Sequence, residues 1–197
     1  MMPKTALRIG PQDHGRAMSL DEFDAAEGAP GKVYELGRGV VSVTDVPGRL
    51  HLAQFLATRS QLLEYQARHK DRIHAILGGQ ECKMLIQGVE SERHPDLSVY
   101  ATPPPDEEDI WSLWVPLLVV EIVSKGSQRR DYNEKREDYL LFGIQEYWIL
   151  DREKHRMTAL RRWRGQWREK IVHAPEMYRT PLLSGLKFDC GAVFDAK

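Results

Sequence analysis

A glutamate inside an apolar run is the residue of this sequence whose position most strongly indicates chemistry. Glu121 lies in the segment 117–123, in which the other six residues are apolar. Side chains alternate between the two faces of a strand, and this segment is apolar on both faces, so it predicts a strand in the centre of a sheet. An isolated ionised carboxylate is costly there unless it is paired or bound to a metal. The alternatives are a structural ion pair with an Arg or Lys and a metal-binding or catalytic carboxylate, and we favour the second.

A second carboxylate precedes another short strand pattern. Asp96 follows Pro95 at the start of a strand predicted over residues 96–100. If the two strands are neighbours, Asp96 and Glu121 meet, and two carboxylates with nothing between them repel each other. A hard divalent cation such as Mg²⁺ removes this repulsion, because it takes one or two carboxylates, a carbonyl oxygen and waters. The sequence therefore predicts a Mg²⁺ or Mn²⁺ site made of Asp96, Glu121 and the backbone carbonyl of Ile122.

The segment after Glu121 predicts a helix with a polar face. Asp131, Lys135 and Tyr139 recur every four residues, and Gly143 follows as a helix-ending glycine. By spacing alone, an exposed Asp-to-Lys pair worth about a few tenths of a kcal/mol explains the pattern. Beside a metal-binding carboxylate, however, such a helix directs Lys135 at a phosphoryl oxygen or at the attacking water.

The rest of the pattern describes the elements that must position these residues. A Ser19–Glu22 capping box opens a short helix, a hairpin turns at residues 37–39, and apolar spacing predicts a long helix over residues 49–69. Further strands are predicted at 84–86, 146–150, 157–162 and 166–172. We therefore predict an α/β or α+β domain with one mixed central sheet over residues 19–197, preceded by a loose arm over residues 1–18.

Charge is balanced over the whole chain. There are 28 Lys and Arg residues against 29 Asp and Glu residues, so contact with nucleic acid needs a local basic surface. Residues 151–170 contain eight basic and three acidic residues, with Trp163 and Trp167 interleaved. Arg161, Arg162 and Arg164 are the candidate nucleic-acid contacts in this segment, and an exposed hairpin with charged edges is an equally good interpretation.

Two further features concern the compartment. Cys82 and Cys190 lie far apart without a CxxC pair, which disfavours a disulfide scaffold or a zinc site. The first residues lack the apolar segment of a signal peptide, and no apolar run reaches the roughly 20 residues of a membrane helix. We therefore expect a cytoplasmic protein that has no membrane partner.

Several segments share their residues and spacing with one nuclease family. They are Tyr34–Leu36, His51, Pro95–Asp96, Glu121–Ser124, Asp131 with Lys135 and Tyr139, Gly143–Asp151, and Leu182–Leu186. On these segments the chain resembles the Uma-two family of restriction-endonuclease-like proteins, within the PD-(D/E)xK nuclease superfamily, over about residues 19–190.

The resemblance implies an α/β restriction-endonuclease-like core, in which helices flank a mixed central β-sheet. It also implies hydrolysis of nucleic-acid phosphodiester bonds with Mg²⁺ or Mn²⁺ as cofactor. Asp96 and Glu121 would be the metal ligands, and Lys135 would steady the charge that develops on the phosphate. The implied partner is nucleic acid, with DNA expected, and a homodimer is left open.

One departure from the superfamily pattern matters. The usual lysine stands two residues after the glutamate, where this chain has Val123. The family carries a lysine on the following helix, which corresponds to Lys135, and Lys125 just past the strand is a second candidate. Glu35, from the amino-terminal hairpin, and Asp131 are candidate additional carboxylates of the site, and for Glu35 a surface or capping role is an equally good interpretation. A nucleic-acid-binding or regulatory module that keeps the core without hydrolysis is the rival interpretation.

Overall fold

The computed structural model describes residues 7–197, which form fourteen strands and four α-helices. The strands are β1 (Arg8–Ile9), β2 (Glu27–Gly28), β3 (Lys32–Gly37), β4 (Val40–Asp45), β5 (Ala75–Leu77), β6 (Met84–Ile86), β7 (Ser91–Arg93), β8 (Leu97–Tyr100), β9 (Leu118–Ile122), β10 (Glu146–Asp151), β11 (Arg156–Trp163), β12 (Gln166–His173), β13 (Met177–Tyr178) and β14 (Phe188–Asp189). The α-helices are α1 (Leu20–Asp24), α2 (Arg49–Arg68), α3 (Lys135–Phe142) and α4 (Cys190–Phe194). Within residues 7–197, no helix has both the length and the apolar character needed to cross a bilayer.

Two sheets organise the chain. The larger has six strands in the order β12-β11-β10-β9-β8-β5, and the smaller has four in the order β4-β3-β7-β6. In the larger sheet β9 and β10 run parallel, whereas the other neighbouring pairs are antiparallel. The predicted α/β fold with a mixed central sheet and flanking helices is therefore confirmed, with β9 as one of its central strands.

The two faces of β9 belong to different cores. The first face packs against α2 and α4, and its cluster includes Leu118, Val120, Ile122, Leu62 and Val193. The second face packs against α3 and β6, and its cluster includes Val119, Ile149, Tyr139, Tyr147 and Met84. Because side chains alternate along a strand, Glu121 shares the second face with Val119 and points towards α3.

The amino-terminal arm differs from its prediction over residues 8–18. β1 pairs in parallel with β2, and Ile9 and Met18 are buried in the core of the small sheet. Asp13 accepts a hydrogen bond from the Gly10 amide at 2.8 Å. This segment is packed rather than loose, because single apolar residues fill another element's core without any periodic pattern. Residues 1–6 lie outside the described residues, and the single domain over residues 19–197 stays a prediction.

The long helix α2 has the predicted bounds within one residue, but its buried face is not purely apolar. The side chains it buries are Gln54, Thr58, Leu62 and Tyr65. Leu52, Leu56 and Leu63 are about half exposed instead. Apolar spacing therefore indicated the helix correctly, whereas the face in contact with the sheet includes two polar residues.

The helix that carries Lys135 begins differently from the prediction. Residues Arg130–Glu134 form a π-helical turn, which continues into α3 and ends at Gly143 with φ 103°. A π-helical turn makes i→i+5 hydrogen bonds, so it is wider than an α-helical turn, and such turns are frequent at functional sites. The periodicity of the sequence carries no signal for this local widening.

A buried ion pair fastens α3 to the small sheet. Arg93 of β7 donates to Asp138 Oδ2 from Nε at 3.0 Å and from Nη2 at 2.7 Å, and both side chains have 0% exposure. The Ser91 hydroxyl and Arg38 Nε also donate to the Asp138 carboxylate. A Cβ at position 37 would lie 2.8 Å from Arg93 Nη2, so Gly37 leaves room for the guanidinium.

Asp138→Ala is expected to lower the free energy of unfolding by about 3–5 kcal/mol, because it leaves the Arg93 guanidinium buried without its carboxylate. Urea denaturation followed by circular dichroism measures this change. Glu137→Ala is the control, since Glu137 pairs with Arg38 at the surface and its loss should change stability by less than about 1 kcal/mol. Equal, small losses in the two variants would contradict the structural role of the buried pair.

Candidate active site

The register of β8 and β9 brings the two predicted carboxylates together. Leu97 pairs with Val120 in the antiparallel ladder, so the preceding residue, Asp96, stands opposite Glu121. Opposite residues of such a ladder share a face, with Cβ atoms about 4.5–5.5 Å apart. The Ile122 amide donates to Asp96 Oδ2 at 2.7 Å, which fixes the carboxylate against the end of β9. Asp96 and Glu121 both line one open cavity of about 750 Å³.

The start of β8 is held by a close approach of the backbone. Gly79 N donates to the Pro95 carbonyl at 2.8 Å. A Cβ at the preceding position, Gly78, would lie 2.2 Å from the Asp96 carbonyl oxygen. Only glycine fits there, so Gly78 lets the chain after β5 lie directly against the residue that presents the carboxylate.

Lys135 joins three carboxylates in one buried network. Its Nζ lies 2.9 Å from Glu121 Oε1, 3.1 Å from Glu35 Oε1 and 3.9 Å from Asp131 Oδ1. The Tyr139 hydroxyl also donates to Glu121 Oε1. Asp131 is 2% exposed and Lys135 is 4% exposed, so their four-residue spacing is not explained by an exposed ion pair. The polar face of the helix is turned inwards, onto the carboxylate of β9.

The charges of this network are unequal. Burial, together with Asp96, Asp131 and Glu35, raises the pKa of Glu121 to about 8, although Lys135 acts in the opposite direction. Burial would also raise the pKa of Glu35, but Lys135, Arg93 and Arg130 lower it to about 2. Burial lowers the pKa of Lys135, and the surrounding carboxylates more than compensate, so it is raised. At neutral pH the network therefore holds a charged lysine, an ionised Glu35 and a Glu121 that retains its proton.

His51 contacts the site, although its sequence context alone favours a structural role. It is the third residue of α2, and its Nε2 lies 3.1 Å from Asp96 Oδ2. An ionised carboxylate only accepts hydrogen bonds, so the imidazole donates from Nε2. Burial lowers the pKa of His51, but the hydrogen bond and charge of Asp96 raise it further than burial lowers it. The partner lies 45 positions away in the chain, and no local signal identifies it.

The second lysine candidate lies at the rim of the cavity. Lys125 stands in the turn after β9 and is exposed, although it lines the same cavity as Lys135. The next turn residue, Gly126, has φ 88°. Ser127 closes the turn by donating to the Asp131 carboxylate, which connects the end of β9 to the start of the following helix.

The three arginines of the basic hairpin do not reach this cavity. Arg161 pairs with Glu146 at the start of β10, whereas Glu121 pairs with Ile149 near its end. The turn between β11 and β12 therefore lies beyond the opposite ends of the strands from Glu121. Arg162 donates to the Leu140 carbonyl at 2.6 Å, and the Arg164 guanidinium lies 5.8 Å from the Trp163 ring centroid.

The donors at the cavity fit a hard divalent cation. Within residues 7–197, no set of three or more His, Cys, Asp or Glu side chains is arranged to hold a metal ion, so a closed site of the zinc type is not formed. Mg²⁺ requires less from the protein, because it keeps several waters and is commonly bound by one or two carboxylates together with substrate phosphate. Asp96, Glu121 and the Ile122 carbonyl could supply such a set from two adjacent strand ends.

Comparisons with known proteins agree with the fold. The family model Uma2, described as "Putative restriction endonuclease", matches residues 20–191. The chain is also similar to a crystal structure described as a putative nuclease belonging to DUF820 from Anabaena variabilis ATCC 29413, with a TM-score of 0.72 and 20% identity. That similarity covers 90% of this chain and 97% of the other. A search of curated proteins finds no match.

Glu121→Gln is expected to stabilise the metal-free protein, by an amount that depends on pH. The wild-type carboxyl has a pKa of about 8 when folded and an ordinary value of 4.5 when unfolded. Between these values the unfolded chain loses a proton that the folded chain keeps, so the wild type loses stability as pH rises. Glutamine has no proton to lose, and the advantage of the variant should reach on the order of 3 kcal/mol at pH 7.

Urea denaturation in EDTA at several pH values measures this difference. The stability of the variant minus that of the wild type should grow from pH 4.5 to about pH 8 and then stay constant, following the two pKa values of Glu121. A difference that is flat over this range would contradict the retained proton.

Proposed function

The chain belongs to the Uma2 family, whose description is "Putative restriction endonuclease", and on this premise we propose that it is a Mg²⁺- or Mn²⁺-dependent endonuclease that hydrolyses nucleic-acid phosphodiester bonds. The observation that carries the proposal is the shared cavity of Asp96, Glu121 and Lys135. Two carboxylates for a hard cation and an ammonium beside them are the groups that phosphodiester hydrolysis requires. DNA is the proposed substrate.

Each residue has a distinct task in this proposal. Asp96, Glu121 and the Ile122 carbonyl would hold the cation, which when bound polarises the phosphate and lowers the pKa of a water. His51 donates to Asp96 and holds that carboxylate in place. Lys135, held between Glu35 and Glu121, keeps its ammonium at a fixed point where negative charge develops on the phosphoryl oxygens.

A module that binds nucleic acid without cleaving it is the second candidate. Val123 at the usual lysine position favours it, and so does the net charge of −1, which gives no attraction over the whole surface. In either case Arg161, Arg162 and Arg164 would contact nucleic acid away from the cavity. The membership of the PD-(D/E)xK superfamily, a homodimer and a cytoplasmic location stay predictions.

Metal-dependent cleavage separates the two candidates. Purified protein should cut plasmid or linear DNA with added Mg²⁺ or Mn²⁺ and not with EDTA. Lys135→Met should abolish cleavage by removing about 3 kcal/mol or more of transition-state stabilisation, while substrate affinity changes only modestly. Initial rates and the metal dependence of each variant are measured on the same DNA.

Lys125→Met is the matched variant, because it removes the same charge from the rim of the same cavity. Its rate should fall much less than that of Lys135→Met, since an exposed lysine in a turn is not held at a fixed distance from the reacting phosphate. An inactive Lys125 variant beside a fully active Lys135 variant would move the catalytic lysine to the turn after β9. Binding of DNA by a wild type that never cleaves it would support the non-catalytic module.

A further inference from the structure

The lysines and arginines around the cavity differ in whether a carboxylate pairs with them. Those that line it are Lys32, Lys125, Arg130 and Lys135. Lys32 pairs with Asp45, and Lys135 pairs with Glu121. Over the part of the chain that the structure describes, Lys125 and Arg130 are the two of these four that have no carboxylate oxygen within 4.0 Å. A cation beside the acidic network without such a partner is available to an anion that enters the cavity.

Arg130 is also held in a defined position. It is the first residue of the π-helical turn, and its Nη1 donates to the Ser42 hydroxyl on β4. Its Nε is buried and has no hydrogen-bond partner among residues 7–197. A buried donor that lacks an acceptor is unfavourable, and a guanidinium more so than a neutral group. The hydroxyl of Ser42 orients the guanidinium, and the remaining donors of its fork are left for a ligand.

We propose that Arg130 binds a backbone phosphate of the nucleic-acid substrate, with Lys125 as a second phosphate contact at the rim of the cavity. The planar guanidinium offers two parallel donors that match two oxygens of a phosphate. The carboxylates that line the cavity provide no such donors. The proposal rests on the proposed function, because it places the substrate in the same cavity as Asp96 and Glu121. It adds the residue that positions the phosphate, which the spacing of the sequence did not indicate.

The ionic environment of Arg130 is consistent with this role. Glu35 is the carboxylate whose pKa Arg130 helps to lower, but the two side chains form no ion pair. Glu35 instead accepts from the His94 amide at 3.1 Å and from Lys135. Arg130 therefore lowers the pKa of Glu35 without an ion pair between the two side chains, so its guanidinium has no carboxylate contact that a phosphate would have to displace.

Binding without cleavage tests the proposal. Fluorescence anisotropy in EDTA measures the affinity of a labelled duplex DNA, and of RNA of the same sequence, at several salt concentrations. Arg130→Gln should weaken binding about tenfold and reduce the slope of log K against log salt by about 1. Arg129→Gln is the matched control, since Arg129 neighbours Arg130, is 88% exposed and lies outside the cavity lining, and its affinity should change less than about twofold.

Two further variants separate charge from geometry and guard against misfolding. Arg130→Lys should keep the salt slope while losing part of the affinity, because lysine is a point charge without the planar fork. Ser42→Ala removes only the hydroxyl that anchors the guanidinium, and it should weaken binding about threefold. This variant takes the place of Arg130→Gln if Arg130→Gln proves too unstable to assay. The DNA and RNA arms identify which nucleic acid supplies the phosphate.

The outcomes distinguish this proposal from the proposed function. Weakened binding in Arg130→Gln, together with no metal-dependent cleavage by the wild type, would overturn the nuclease and keep the phosphate contact. Normal cleavage with equal affinities for Arg130→Gln and Arg129→Gln would overturn the phosphate contact alone. The phosphate contact would also be overturned if neither nucleic acid binds the wild type. A salt slope that falls only in the combined variant of Arg161, Arg162 and Arg164 would overturn it as well.

Discussion

The carboxylate of Glu121 lies in the centre of the large sheet, and its interactions can be satisfied only from the α3 side. Lys135 and Tyr139 both donate to it, and their positions depend on how α3 docks. That docking is set one helical turn further on, where Asp138 meets the fully buried Arg93 of the small sheet. Gly37 in turn leaves the space that the Arg93 guanidinium occupies. The small sheet is therefore part of the site's support, since it fixes the helix that supplies the ammonium.

A second buried glutamate shows what a purely structural role looks like. Glu146 has 0% exposure and accepts hydrogen bonds from Trp148, Tyr178 and Thr180, all of them neutral donors. Glu121 is different, because it borders an open cavity together with other carboxylates and shares a single lysine with Glu35 and Asp131. One ammonium cannot neutralise so many acids, and burial together with the remaining repulsion raises the pKa of Glu121. The repulsion among these carboxylates is unfavourable, and an added cation would relieve it.

Much of this arrangement is readable from the sequence because it depends on local rules. The apolar run around Glu121 indicated a central strand, and the four-residue spacing indicated the face that carries Asp131, Lys135 and Tyr139. Contacts between distant segments were not readable in the same way. The pairs His51–Asp96 and Arg93–Asp138 are each separated by 45 residues, and either histidine or arginine alone is compatible with many partners. The buried face of α2 and the packing of Ile9 were missed for a related reason, since both depend on the shape of another element.

Lys135 reaches the carboxylate of Glu121 from a helix, so its position depends on more than one strand. Val123 follows Glu121 by two residues on the same strand face, and it is partly buried against the α3 core. Lys135 comes to the same carboxylate from the helix above that face, with Nζ 2.9 Å from Glu121 Oε1. A strand lysine two residues from the glutamate is positioned by the sheet alone. The position of a helix lysine depends on three features. The turn after β9 must form, the Ser127–Asp131 contact must connect it to the π-helical turn, and the Arg93–Asp138 pair must hold α3. The position of the Lys135 ammonium therefore depends on the junction between the two sheets and not on one strand.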